Sequence, residues 1–191
     1  MLNNNTPLGA SEDSDSEFLR VVDNNVWFYS DIDFEPCLAL NVELRKLDKQ
    51  LSSAHSGVGT PTINLRINSF GGSVLAAFAV IDTIRDLKCN VHSIVEGSAA
   101  SAATLISCMC KQRSMGKFSF MLIHQLSAEA GGKMVEMEDD IKNARQFMEV
   151  IRNIYKKYSK INTKKIDEIL KSDIWLSADQ CLEYGLVDAI I

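Results

Sequence analysis

Residues 63–106 read INLRINSFGGSVLAAFAVIDTIRDLKCNVHSIVEGSAASAATLI, and this stretch decides the fold. Ile63, Leu65 and Ile67 alternate with polar residues, the period of a half-buried strand. Asn68-Ser69-Phe70-Gly71-Gly72 then turns the chain, and Ser73 is placed to cap a helix carrying Ala77, Val80, Ile84 and Leu87. Val91, Ser93 and Val95 make a second strand, Gly97-Ser98 a second turn, and a second helix follows from about Ser101. Strand, glycine turn and helix, repeated, argue for an α/β layer rather than an all-α or all-β domain.

Downstream, Phe118 to Ile123 reads as a third strand ending at His124. Lys133 to Lys160 reads as one long helix, with Met137, Ile141, Ala144, Met148, Ile151, Tyr155 and Tyr158 in one stripe. Phe147, Val150 and Ile154 widen that stripe beyond what one neighbour normally covers, so an interface between chains is expected there. A short helix, Lys164 to Leu170, precedes Ser172-Asp173, and Ser177-x-x-Gln180 is a capping box for a helix stopped by Gly185. Upstream, Val26 to Tyr29 is a short strand, and Asp33 caps a helix with Leu40, Leu44, Leu47 and Leu51 on one face. Residues 1–17 are polar and acidic and are expected to be a disordered tail, leaving 18–191 as one domain.

Composition narrows the function classes. Lys+Arg 20 against Asp+Glu 25 gives a formal net charge of -5 with no basic cluster, a poor match to nucleic acid. The five cysteines (Cys37, Cys89, Cys108, Cys110, Cys181) form no CxxC pair and no zinc-ligand set, so reduced, buried thiols in a cytoplasmic protein are expected. No apolar run reaches membrane-spanning length. Both glycine-bearing turns would aim free backbone N–H groups at an oxyanion or a phosphate, but no GxxxxGK[ST] or GxGxxG accompanies them. Taken alone, Ser101 could be a helix-start serine, His124 a core histidine and Asp173 a cap.

Five segments taken in order change that reading. Gly97-Ser98-Ala99-Ala100-Ser101, Ile123-His124-Gln125, Asn68-Ser69-Phe70-Gly71-Gly72, Asp173-Ile174-Trp175-Leu176-Ser177-Ala178 and Glu183-Tyr184-Gly185-Leu186-Val187-Asp188 resemble motifs of the Clp protease proteolytic subunit family. The resemblance runs from about Asn25 to Ile191. It implies a crotonase-like ββα spiral with a long protruding handle helix, and peptide-bond hydrolysis without metal or cofactor. It assigns Ser101 as nucleophile, His124 as base and Asp173 as the acid that orients the imidazole. It puts the oxyanion-hole N–H groups at Gly72 and Ala102, and substrate contacts at Gly71, Ser73, Gln125 and Leu126. Gly131-Gly132 stands where the family has a glycine-rich substrate strand, although a simple loop fits as well.

The implied partners are a peptide or unfolded protein substrate and copies of the chain in two stacked heptameric rings, without nucleic acid or membrane. A Clp ATPase unfoldase is the partner the family brings, although the N-terminal tail matches neither the usual propeptide nor the axial loops that engage one. With the rings stacked through the long helix, Ile151→Glu is expected to split them. Three residues depart from the family: Phe70 and Leu126 stand for prolines, and Ser172 stands where arginine is frequent. A crotonase-type acyl-CoA enzyme and a non-catalytic ring subunit are the rival readings. The pairing of Ser101 with His124 favours the peptidase.

Overall fold

The computed structural model describes residues 19–54, 59–127 and 131–191; the expected N-terminal tail and His55 lie outside them. The elements are β1 (Leu19–Val22), β2 (Asn25–Phe28), α1 (Phe34–Ala54), β3 (Thr62–Ser69), α2 (Val74–Asp86), β4 (Asn90–Ala100) and α3 (Ala102–Met109). They continue as β5 (Gln112–Met115), β6 (Phe120–Leu122), α4 (Met134–Tyr158), α5 (Thr163–Ile169), β7 (Trp175–Ser177), α6 (Ala178–Glu183) and β8 (Ala189–Ile190). The chain is α/β, as the strand–turn–helix repeats imply. One sheet runs β1-β2-β3-β4-β5-β8, with β6 joined to β4 and β7 to β6. Neighbours from β2 to β8 are parallel, which the crossover helices permit; β1 and β7 are the antiparallel additions.

Local chemistry sets the helix starts. Asp33 accepts the Phe34 N–H at 2.7 Å, and Ser73 accepts the Ala76 N–H at 3.2 Å. Ser177 and Gln180 bond reciprocally, the capping box visible in the sequence. Leu40, Leu44 and Leu47 are buried under α1, and Ala77, Val80 and Ile84 under α2.

One expected turn is absent. Gly97-Ser98 lies inside β4, which runs on to Ala100. Before Gly97, His92 to Val95 pair with β5; after it, Ser98 to Ala100 pair with β6. Gly97 has φ +76 and makes the bend at which the strand changes partner. Two polar side chains satisfy the bend: Ser119 Oγ accepts the Gly97 N–H at 3.0 Å, and Asn68 Oδ1 accepts the Ser98 N–H and hydroxyl at 3.2 and 3.0 Å. This bend aims the end of β4 at the strand that leads to His124.

The long helix divides in two. Ile151 and Tyr155 are 4% and 2% exposed, packed into the chain's own core, where Tyr155 shares a 2.6 Å hydroxyl bond with Thr104 of α3. Met134, Val135 and Ile141, in its first half, are 67%, 67% and 47% exposed. Ile151 therefore belongs to the core and not to a surface between chains. A charge there would disrupt the fold before it could act on any assembly. Among the described residues no helix is long and apolar enough to cross a membrane.

Candidate active site

The β6–β7 ladder places two of the three singled-out residues. Its register sets Phe120 opposite Ser177, Met121 opposite Leu176 and Leu122 opposite Trp175. Met121 and Leu176 are buried, so Leu122 and Trp175 lie on the other face. Carried two rungs further, the same register brings His124 opposite Asp173 on that face. There His124 Nδ1 lies 2.9 Å from Asp173 Oδ1. An ionised carboxylate only accepts, so Nδ1 carries the hydrogen and Nε2 is left as an acceptor. His124 is partly covered, while the Asp173 side chain is 79% exposed.

Ser101 sits where β4 ends and α3 begins, with φ 51 and ψ -123. A positive φ is costly for a residue with a Cβ, and such strain concentrates at functional sites. Surrounding bonds hold it: the Ser101 N–H donates to the Leu122 carbonyl at 2.8 Å, two residues before His124. The Ser101 carbonyl accepts from the Thr104 N–H at 3.0 Å and the Thr104 hydroxyl at 2.6 Å. An ordinary helix-start serine spends its hydroxyl on the next turn's N–H groups; the Ser101 side chain makes no such cap. Among the described residues its hydroxyl forms no hydrogen bond with His124. The structure thus joins His124 to Asp173 and fixes the Ser101 backbone beside their strand, without the third link.

The glycine turn folds onto the same point. A Cβ on Gly71 would lie 2.6 Å from the Ala100 carbonyl oxygen and 2.7 Å from Ser101 Cβ, so only glycine permits this approach. Gly72 forms a parallel bridge with Ile32, in which Ile32 N–H donates to Gly71 and Ser73 N–H donates to Ile32, at 2.8 and 2.7 Å. That pattern uses the groups flanking Gly72 and turns its own N–H to the opposite side. Ala102 is the first residue of α3, where a backbone N–H has no partner within the helix.

The remaining singled-out positions are occupied in other ways. Ser73 caps α2, the Gln125 N–H donates to Leu170 at 2.8 Å, and the Leu126 N–H lies 3.1 Å from Met148 Sδ. Gly131-Gly132 forms no strand: Gly132 has φ +112 and leads into α4, where the Lys133 N–H donates to the Glu136 carboxylate at 2.8 Å. His92 bonds Ser114 at 2.8 Å, and burial lowers its pKa, as suits a structural imidazole. The cysteines are free and buried, and no group of three His, Cys, Asp or Glu among the described residues is placed to hold a metal ion. Sequence reasoning missed one contact. Phe70 meets Trp175 edge-to-face, centroids 6.3 Å apart at 86°, and the only signal in the sequence was Phe70 standing for a proline.

Residues 43–191 match the family model described as Clp protease. The chain belongs to the Clp protease family. Its Clp relatives include the ATP-dependent Clp protease proteolytic subunit of Cyanophora paradoxa, 30% identical over 174 residues, covering 90% of this chain and 86% of that one. The ATP-dependent Clp protease proteolytic subunit 2 of Treponema denticola is 34% identical over 154 residues, covering 79% and 77%. Membership places the chain among the Clp-type serine endopeptidases, and the crotonase-type acyl-CoA reading falls away.

Proposed function

We propose that the chain hydrolyses peptide bonds with Ser101 as nucleophile, His124 as general base and Asp173 as the group that orients the imidazole. The observation that carries this is the strained Ser101 turn, bonded to the strand whose next residues form the His124–Asp173 pair. His124 Nε2 takes the Ser101 proton as the hydroxyl adds to the scissile carbonyl. The same nitrogen then gives the proton to the leaving amine, so the serine ester forms as the C–N bond breaks. Water repeats the cycle and releases the acid product. The tetrahedral oxygen is held by the N–H groups of Gly72 and Ala102, each such donor being worth roughly 10²–10³ in rate. The link between Ser101 and His124 is expected to form with substrate bound, since catalytic hydrogen bonds commonly tighten only then.

The substrate is an extended peptide or unfolded protein laid past Gly71. The working form is an oligomer of two stacked heptameric rings, supported by the exposed Met134, Val135 and Ile141 of α4 and by the family. A Clp ATPase that feeds the rings fits the relatives' description as ATP-dependent. Labelling with a fluorophosphonate probe, followed by mass mapping, tests the chemistry. Attachment at Ser101, lost in His124→Ala, is expected. Labelling at another residue overturns the assignment of Ser101, and a folded protein that is unlabelled favours a non-catalytic ring subunit.

A further inference from the structure

We propose that Phe70 and Trp175 are a positioning pair that locks the glycine turn to the segment that runs from Asp173 into β7. The inference rests on the reading above, in which Ser101, His124 and Asp173 do the chemistry. Phe70 is 72% exposed and precedes Gly71, whose backbone lies against Ala100 and Ser101. Trp175 opens β7 two residues after Asp173 and faces Leu122, whose carbonyl accepts the Ser101 N–H. Their edge-to-face contact therefore joins two segments that otherwise reach Ser101 from separate directions. Asp173 needs such support: its side chain is 79% exposed, and its hydrogen bond is to His124. A side chain as exposed as Phe70 adds little to folding, so its effect falls on alignment. A proline at position 70 would stiffen the turn by itself; phenylalanine leaves φ free and supplies the constraint through its ring instead.

Kinetics of Phe70→Ala, Trp175→Ala and the double variant on one fluorogenic peptide test the pair, after fluorophosphonate labelling has located the nucleophile of the wild type. Each single change is expected to lower kcat about 3- to 10-fold, the range of an aromatic pair, with KM altered less than about 2-fold. The double variant should lose no more than either single one, because both remove the same contact. Phe70→Tyr should restore most of the rate, and Phe70→Leu, bulky without a ring face, should not. Melting temperatures of the Phe70 variants should match the wild type. Independent, multiplying losses in the double variant, a KM effect that tracks the substrate side chain, or full activity in Phe70→Leu would each overturn the pair. A wild type labelled at Ser101 with unchanged kcat in Phe70→Ala sinks the pair alone. A wild type that neither cleaves peptide nor labels at Ser101 sinks the proposed chemistry and the pair with it.

Discussion

The β6–β7 pair and the first half of α4 both carry apolar residues at regular spacing, yet only the strands are closed by contacts within the chain. Met121 and Leu176 are 0% and 5% exposed, and their burial fixes the register that brings His124 to Asp173. In α4 the same periodic rule gives Ile151 and Tyr155 a core to enter, while Ile141, two turns earlier and more, stays 47% exposed. Periodicity identifies an amphipathic face but not the surface that covers it. The site is thus specified by one chain, and the outer half of α4 by whatever meets it.

The largest effect that would break this contrast is at the site. Ser101→Ala should reduce peptide turnover by roughly 10⁴–10⁶. Removing a strained residue's hydroxyl should leave the melting temperature unchanged, so circular dichroism beside a peptide assay separates the two quantities. Gly71→Ala should couple them: a Cβ there meets Ala100 and Ser101, and φ +97 adds strain, so loss of activity and a destabilisation of about 1–3 kcal/mol are expected together. Full activity in that variant would mean that the turn does not lie on Ser101.

Within α4, Ile151→Glu buries an unpaired carboxylate and should cost about 3–5 kcal/mol in chemical denaturation. Ile141→Glu should stay within about 0.5 kcal/mol of wild type and instead lower the mass seen by light scattering. If the rings stack as proposed, the split form should keep measurable short-peptide activity, because the His124–Asp173 bond is made within one chain. An unchanged mass removes the interface from this half of the helix. The smallest effect concerns the thiols. Burial pushes Cys108, Cys110 and Cys181 up to about 12, so they stay protonated at pH 8 and thiol reagents should leave activity intact. Rapid loss of activity on alkylation of the folded protein would contradict that burial.

Much of this organisation was legible before any coordinates. The α2, α4 and α6 starts followed from periodicity and caps, and the positions of Ser101, His124 and Asp173 from ordered motifs. Four strands were not: β1, β5, β7 and β8. β5, Gln112–Met115, alternates nothing obvious, because Ser114 and Met115, on opposite faces, are both buried, and Arg113 is largely covered through its ties to Asp188 and Gly185. β1 followed directly on the acidic tail, and the Asp23-Asn24 turn, with Asp23 at φ 54, was the hairpin signal that went unread. At Gly97 the sequence predicts a turn and the structure has a bend, because a glycine marks a change of direction without saying whether the strand ends there. Phe70 and Trp175 stand 105 positions apart by subtraction, and no local pattern links them.

From the partner change in β4 an order of folding is expected. The two strands between which it switches, β5 and β6, lie within the next few dozen residues, whereas His124 and Asp173 are 49 positions apart and wait for α4, α5 and β7. Contacts of long sequence separation form late, because loop closure must come first. If the chain folds as it emerges, Ser101 should take its strained seat before Asp173 is available, and the proposed triad would be incomplete until then. Pulsed hydrogen exchange during refolding should show β3 and β4 protected before β7. On that order the proposed triad would be completed by one of the later segments to form.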